Sequence, residues 1–155
     1  MSVFEVPPKS APADQQYERD FYSWALRQAA LLRAGRFTEL DITNIAEELE
    51  TLGRAEFNSL VSALRVLTLH LLKWDHQPEK RSRSWVVSIV VQRGELSELL
   101  ADNPGLKPRL DEATERAYGR ARREAAAETG IDIKLFPQTC PYDLAAITSR
   151  EIDLR

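Results

Sequence analysis

The feature that most constrains the fold of this chain is a long run of apolar residues at alternating steps of three and four. The run comprises Phe57, Leu60, Leu64, Leu67, Leu71 and Trp74. Because an α-helix has about 3.6 residues per turn, this spacing puts them on one face and predicts a long helix. Beyond Ala63, the residues Val66, Leu69 and Leu72 add apolar side chains on the other sides. A helix that is apolar almost all round lies centrally in a core or is covered by a partner chain.

Shorter stretches with the same spacing predict further helices on both sides of this run. Their apolar positions are Tyr17, Phe21, Trp24, Ala25, Leu31 and Leu32 in the first, Ile42, Ile45, Leu49 and Leu52 in the second, and Leu106, Leu110, Ala113, Ala117, Ala121 and Ala125 in the last. Asp41 or Thr43 can cap the second helix, and Gly53 is expected to end or kink it. Gly130 is expected to stop the last of these helices, and one short helix follows near residues 142–147.

The valine-rich stretch at residues 86–91 could form either a strand or a helix. Its β-branched side chains suit a buried strand. The helical face Trp85, Ile89, Leu96, Leu99 and Leu100 continues well beyond it, however, and Ser82 or Ser84 can act as an N-cap. No second stretch in the sequence would pair with such a strand. The length of the pattern therefore predicts a helix.

These elements predict an all-α fold, a compact antiparallel helical bundle of about five main helices plus a short C-terminal helix. The chain has 155 residues, which is enough for one domain with a core of its own. We expect residues 14–155 to form that single helical domain. Residues 1–13 contain Pro7, Pro8 and Pro12 and are expected to form an extended N-terminal arm.

Composition limits the classes of partner and compartment. The net charge of -3 gives the chain no overall attraction to nucleic acid or to an acidic membrane, so such binding would have to be local. Cys140 is the only cysteine, which excludes an intrachain disulfide and favours a cytoplasmic location. No apolar run approaches the roughly 20 residues needed to cross a bilayer. We therefore expect no membrane segment.

The most unusual segment is LLKWDHQPEKRSRSW, residues 71–85, which we call the basic-aromatic segment. Its candidate ligand or partner residues are Lys73, Trp74, Lys80, Arg81, Arg83 and Trp85. Cations interleaved with aromatic rings can neutralise phosphate and stack on bases, which is typical of single-stranded nucleic-acid binding. Both tryptophans also fall on the apolar stripes of their helices, which favours a corner between two helices anchored by the indole rings.

No catalytic or cofactor motif is recognisable in the sequence. Glu48 and His70 border apolar stripes and are the only weak polar-site candidates, as the acid and base of a hydrolase. The chain lacks the Glu-x-x-His pairing of carboxylate metal bundles, so we expect no metal site and no cofactor. Cys140 lacks a basic neighbour in sequence and is a poor nucleophile. An enzymatic role is thus not favoured.

Two helices carry more apolar residues than one stripe can bury. The surplus residues are Val66, Leu69, Leu72, Val87, Val90 and Val91. Each large apolar side chain left in water forgoes roughly 1.5 to 3 kcal/mol of burial. Either the two helices are central and covered on both sides, or these residues form the interface of a homodimer or a protein partner.

Four segments resemble, in the same order, the signature segments of a known family. They are EELETLGRAE (47–56), HLLKWDHQPEKRSRSW (70–85), ETG (128–130) and FPQTCPYDL (136–144). The family is bacterial and all-helical, and is catalogued as a domain of unknown function, number twenty-nine in that series. The resemblance implies a compact helical fold over residues 17–150 and implies no activity. From the residues alone, with surplus apolar side chains and no catalytic motif, we expect a protein-interaction or regulatory module, with nucleic-acid or phosphate-ligand binding through residues 73–85 as the alternative.

Overall fold

The computed structural model describes residues 13–153, and every regular element in that range is helical. The helices are α1 (Ala13–Arg19), α2 (Phe21–Arg33), α3 (Ile42–His76), α4 (Arg83–Asp102), α5 (Leu110–Thr129) and α6 (Leu144–Ser149). Short 3-10 turns connect most of them. The predicted all-α fold is confirmed, and the valine-rich stretch is helical within α4. The expected N-terminal arm lies outside the described residues, except for Ala13, which begins α1.

The longest helix differs from the prediction at one point. α3 continues through Gly53 without interruption, although that glycine was expected to end or kink it. A glycine costs about 1 kcal/mol in a helix interior, and the apolar helical pattern that follows it is strong enough to carry the helix onward. Near this residue the chain divides into two compact units, unit 1 (Met1–Gly53) and unit 2 (Arg54–Arg155).

Unit 1 is built around a buried polar contact. The indole Nε1 of Trp24 donates to Oδ2 of Asp41 over 3.1 Å, and the backbone N of Asp41 donates to Oε1 of Gln28 over 2.9 Å. All three residues are buried. Asp41 also accepts from the backbone N of Asn44, which makes it the N-cap of α3. Because buried polar groups cost free energy unless they are paired, this contact fixes α2 relative to the start of α3.

The apolar stripe at the start of α3 faces away from the core of unit 1. Ile42, Leu49 and Leu52 are 63%, 63% and 64% exposed, and Ile45 is half-buried. The inward side of the helix carries Glu48 instead, which accepts a hydrogen bond of 2.5 Å from the Tyr17 hydroxyl. An amphipathic helix normally buries its apolar face. In unit 1 this part of α3 instead exposes its apolar face and turns the side with Glu48 toward the core.

Unit 2 buries the second half of α3 on opposite sides. One core cluster joins Phe57, Leu60, Leu64, Leu67 and Leu71 to Ile89 and Leu96 of α4 and to Ala113 and Ala117 of α5. A second cluster joins Leu69 and Leu72 to Tyr118, Ala121, Ala125 and Phe136. The four seam alanines of α5 have no exposed surface, so their small side chains permit close approach of helices. The all-round apolar pattern of this half of α3 therefore reflects a central position.

Arginine side chains hold the C-terminal segment of unit 2. The Arg93 guanidinium donates to the carbonyl oxygens of Ala146, Ile147 and Arg150 over 3.2, 2.8 and 2.9 Å, at the C-terminal end of α6. Arg122 donates in the same way to the carbonyls of Ile133 and Phe136. The last carbonyls of a short helix have no intrahelical partner. These arginines supply the missing donors.

Replacement of Arg93 tests this account of the C-terminal segment. We expect Arg93→Ala to lower the free energy of unfolding by about 2 to 3 kcal/mol, because three carbonyls lose charged donors at once. Urea denaturation followed by circular dichroism measures the change. Arg83→Ala, at an exposed position of the same helix, serves as the matched control and is expected to stay within about 0.5 kcal/mol of the unchanged protein. Equal effects of the two substitutions would contradict the assigned role of Arg93.

Candidate functional site

The basic-aromatic segment forms a corner between two helices of unit 2. α3 ends at His76, a 3-10 turn covers Pro78–Lys80, and α4 begins at Arg83. Ser82 occupies the N-cap position of α4, but its hydroxyl bonds to the Ser84 hydroxyl over 2.9 Å and not to the helix backbone. The segment thus connects two core helices over a short distance along the chain.

Trp74 is covered by a cation from its own segment. The indole is buried, with 3% of the residue exposed. The guanidinium carbon of Arg81 lies 4.8 Å from the ring centroid, and Nε of Arg81 donates to the Trp74 carbonyl over 3.0 Å. A guanidinium within about 6 Å of an aromatic face is held there by the ring quadrupole. This ring face is therefore not open for a base to stack upon.

Trp85 is half-buried and is covered in a similar way. Nζ of Lys73 lies 4.7 Å from the Trp85 ring centroid and donates to Oε2 of Glu128 on α5 over 2.6 Å. Two of the four predicted cations, Arg81 and Lys73, thus already have partners within the protein, namely Trp74 for the first and Trp85 and Glu128 for the second. Lys80 and Arg83 are exposed and make no contact of this kind among the described residues.

Asp75 connects the end of α3 to the C-terminal segment. Its carboxylate accepts from the Tyr142 hydroxyl over 2.9 Å and from both Nη atoms of Arg150, over 3.0 and 2.5 Å. Burial opposes ionisation of Asp75, but the hydrogen bonds from Arg150 and Tyr142 outweigh it and lower the pKa of the carboxyl group. Burial, with the adjacent Asp75 carboxylate, raises the pKa of Tyr142. The three groups thus form a neutralised cluster in which Tyr142 is a hydrogen-bond donor.

Three of the segments that carry the family resemblance meet at this end of unit 2. Lys73 reaches Glu128 of the ETG segment, and Asp75 reaches Tyr142 of the FPQTCPYDL segment. The ring of His76 lies 4.7 Å, centroid to centroid, from that of Phe136. No sequence pattern indicates the role of Arg150, which lies 75 residues from Asp75 along the chain. These segments are tied to one another by contacts that hold the fold together.

The two weak polar-site candidates lie in different units of the chain. Glu48 is bonded to Tyr17 in unit 1, and this bond raises the pKa of Tyr17 to about 12. His70 is in unit 2, where its Nδ1 bonds to the Val66 carbonyl over 2.8 Å. Burial, with help from the charge of Lys73, lowers the pKa of His70 and keeps the ring neutral. Each candidate is engaged by a partner in its own unit.

Cys140 lines two open grooves beside α5. The larger has a volume of about 800 Å³ and includes Leu110, Glu112, Glu115 and Tyr142. The thiol lies 3.5 Å from the Tyr142 carbonyl, and burial raises its pKa, which disfavours the reactive thiolate. Among residues 13–153 no group of three or more His, Cys, Asp or Glu side chains could hold a metal ion.

α4 exposes a continuous apolar face, which we call the α4 face and define by Val87, Val90 and Val91. These residues are 53%, 61% and 49% exposed. Leu69 and Leu72, which the partner-interface alternative grouped with them, are buried in the second core cluster, so this part of that alternative is wrong and the central position holds for these two residues. Val66 is half-buried and lines a groove of about 460 Å³ between α3 and α4. The surplus apolar residues therefore divide into a buried pair and an exposed α4 face.

None of the helices in the described part of the chain is both long enough and apolar enough to span a membrane.

Comparison with known proteins identifies a family and no characterised relative. The family described as "Domain of unknown function DUF29" matches residues 16–152. No curated protein and no solved structure matches the chain.

The Asp75 cluster predicts a specific dependence of stability on pH. The pKa of Asp75 is lowered from 3.8 on folding, so its contribution is present above pH 3.8 and is lost as the pH falls through the folded-state pKa. We expect Asp75→Asn to cost about 1 kcal/mol of unfolding free energy at pH 7 and progressively less as the pH falls below 3.8 and through the folded-state pKa of Asp75. Urea denaturation of both proteins across this range measures the difference. A gap that stays constant with pH would contradict the assignment.

Proposed function

The chain belongs to the DUF29 family, whose description assigns no activity, and we propose that it is a protein-interaction module, acting as a binding partner or a regulator. The observation that carries the proposal is the α4 face. Its three valines stand on the side of α4 opposite Ile89 and Leu96, which are buried. A helix with one apolar side in the core and a second in water is suited to contact a further chain.

The spacing of the valines suits a helix as the partner. Val87, Val90 and Val91 follow the i, i+3 and i+4 positions, which form one ridge on a helix surface. Gly94 continues this ridge and has open space where a Cβ would stand, so a partner could approach closely there. Burying the exposed portions of the three valines would contribute roughly 1 kcal/mol each.

The charges beside the α4 face indicate the chemistry of that partner. The groove next to it has Ala63, Val66 and Leu99 among its lining residues. Glu95, Glu98 and Asp102 also line it, and all three are exposed. Opposite charges across an interface favour association and fix its orientation. An amphipathic helix with apolar and basic side chains would therefore complement this surface.

Binding of nucleic acid or a phosphate ligand to residues 73–85 is the weaker alternative. In its favour, Lys80 and Arg83 are exposed at the corner. Against it, Arg81 and Lys73 cover the rings of Trp74 and Trp85, on which bases would have to stack. A hydrolase using Glu48 and His70 is less favoured still, since each side chain is engaged elsewhere and the imidazole is held neutral.

Capture of partners with matched variants tests the interaction proposal. The tagged full chain, Val87→Glu and Leu135→Glu would each be used to capture proteins from cells of the native host. Leu135 is 69% exposed in unit 2 outside the α4 face, so Leu135→Glu is the matched control. We expect the unchanged chain and the control to capture the same protein in similar amounts. Val87→Glu should capture at least tenfold less of it, because a buried unpaired carboxylate opposes docking. Identical recoveries with all three proteins would contradict the proposal.

A salt titration separates the proposal from its alternative. Fluorescence anisotropy measures the binding of labelled single-stranded RNA and DNA at 50 and at 200 mM salt. We expect no affinity that falls steeply between these two concentrations. Phosphate contacts release counterions, so real binding through Lys80 and Arg83 would show that dependence. A steep salt dependence that disappears in Lys80→Ala with Arg83→Ala would favour the nucleic-acid reading.

A further inference from the structure

The structure contains a second unpartnered apolar face, which lies in unit 1 and not on α4. We propose that residues 42–53 of α3 pair, antiparallel, with the same residues of a second copy of this chain. We call Ile42, Ile45, Leu49 and Leu52 the α3 stripe. This inference goes beyond the proposed function, because it concerns another surface and names the partner.

The α3 stripe is exposed because the core of unit 1 uses the polar side of the helix. Asp41 and Glu48 face inward, toward Trp24 and Tyr17, and are satisfied by hydrogen bonds there. Ile42, Leu49 and Leu52 are left almost two-thirds exposed over three turns of helix. Each forgoes roughly 1 to 2 kcal/mol of burial in that position. Such a row on a regular helix marks an interaction surface.

The spacing of the α3 stripe makes it complementary to itself. Its steps along the chain are three, four and three, which is the a and d pattern of a helix pair. That order reads the same in both directions. In an antiparallel pair centred near Glu47, Ile42 of one copy therefore lies opposite Leu52 of the other, and Ile45 opposite Leu49. A two-fold axis needs this kind of self-complementary patch.

The residues beside the stripe are compatible with such a pair. Glu47 lies on the side of the helix opposite the stripe and stays in water. Antiparallel packing puts Glu48 beside Ala46 and Glu50 beside Asn44, so no carboxylate faces another across the interface. Ala46 and Gly53 border the stripe, are exposed, and are small enough for close approach of the second helix.

The exposed apolar area of unit 1 is large enough for a dimer of ordinary size. Besides the stripe, the unit exposes Phe21, Tyr22, Leu26, Leu32 and Phe37. From typical side-chain areas, the eight large exposed residues present on the order of 450 to 800 Å² of apolar surface. A standard interface buries about 800 Å² per partner, of which somewhat more than half is apolar. The apolar surface that unit 1 exposes in total is therefore of the size that such an interface buries.

The solution mass of the full chain and its variants tests the inference. By light scattering or sedimentation at micromolar concentrations, we expect twice the 17.6 kDa of one chain. Leu49→Glu should raise the dimer dissociation constant about 30-fold or more, because the two-fold axis brings a carboxylate into the apolar seam from each copy. Leu135→Glu makes the same change at a similarly exposed leucine and should remain dimeric. A monomeric unchanged chain, or a dimer that withstands Leu49→Glu, would overturn the inference.

Further variants separate this interface from other ways of covering the stripe. Val87→Glu should remain dimeric, and its dissociation would assign the dimer to the α4 face and overturn the inference. A chain that lacks residues 1–12 should still be a dimer. If it is monomeric instead, those residues and not the α3 stripe hold the dimer together, and the inference is overturned. Leu49→Glu should keep the helical circular dichroism of the unchanged protein. If it unfolds the protein instead, the stripe is covered within one chain and the inference is wrong.

Cysteine cross-linking tests the antiparallel orientation. In a Cys140→Ala background, a mixture of Ile45→Cys and Leu49→Cys chains should form the mixed disulfide at least tenfold faster than either chain forms a disulfide with itself. The antiparallel pair puts these two positions opposite each other, and a disulfide needs Cα atoms within about 7 Å. Preferential linkage of Leu49→Cys to itself would contradict the orientation.

Discussion

The structure of unit 2 depends on the burial of a helix that is apolar on nearly all sides. Between Leu60 and Leu72, most sides of α3 carry apolar residues that would be costly to leave in water, and the side that carries Ser62 is exposed. Two core clusters on different sides of the helix cover it, one with residues of α4 and α5 and the other with α5 and Phe136. The alanine seam of α5 allows the backbones to approach closely, so the contacts are dense. The other helices of the unit pack around this central helix.

The polar residues that seemed most suited to chemistry serve this architecture. Lys73 and Arg81 cover tryptophan rings, Asp75 receives Tyr142 and Arg150, and both imidazoles bond to carbonyls one turn back in α3. Side chains whose polar atoms are already paired have little left for a substrate. Three of the four segments that carry the family resemblance meet in this network, where their polar side chains hold the fold together. The proposed interactions are therefore assigned to the exposed apolar faces and not to these polar groups.

Sequence periodicity predicted the parts of the fold that a single helix decides by itself. The long run of apolar residues, the helical state of the valine-rich stretch and the alanine seam of α5 all follow from spacing, and the structure confirms them. Periodicity shows which residues share a face but does not show what that face meets. For this reason the stripe at Ile42, Leu49 and Leu52 has the spacing of a buried helix face and yet is exposed, while Leu69 and Leu72 exceed a single stripe and yet are buried. The contact of Asp75 with Arg150 could not be predicted, because nothing local relates residues so far apart.

The central position of α3 in unit 2 can be measured most directly by native-state hydrogen exchange. If burial on opposite sides of this helix holds the unit together, the backbone amides from Leu60 to Leu72 exchange only through global unfolding, with a free energy equal to that from urea denaturation. The amides of the corner at residues 78–82 should exchange far faster. Exchange of residues 60–72 at the rate of that corner, with the protein otherwise folded, would contradict the account.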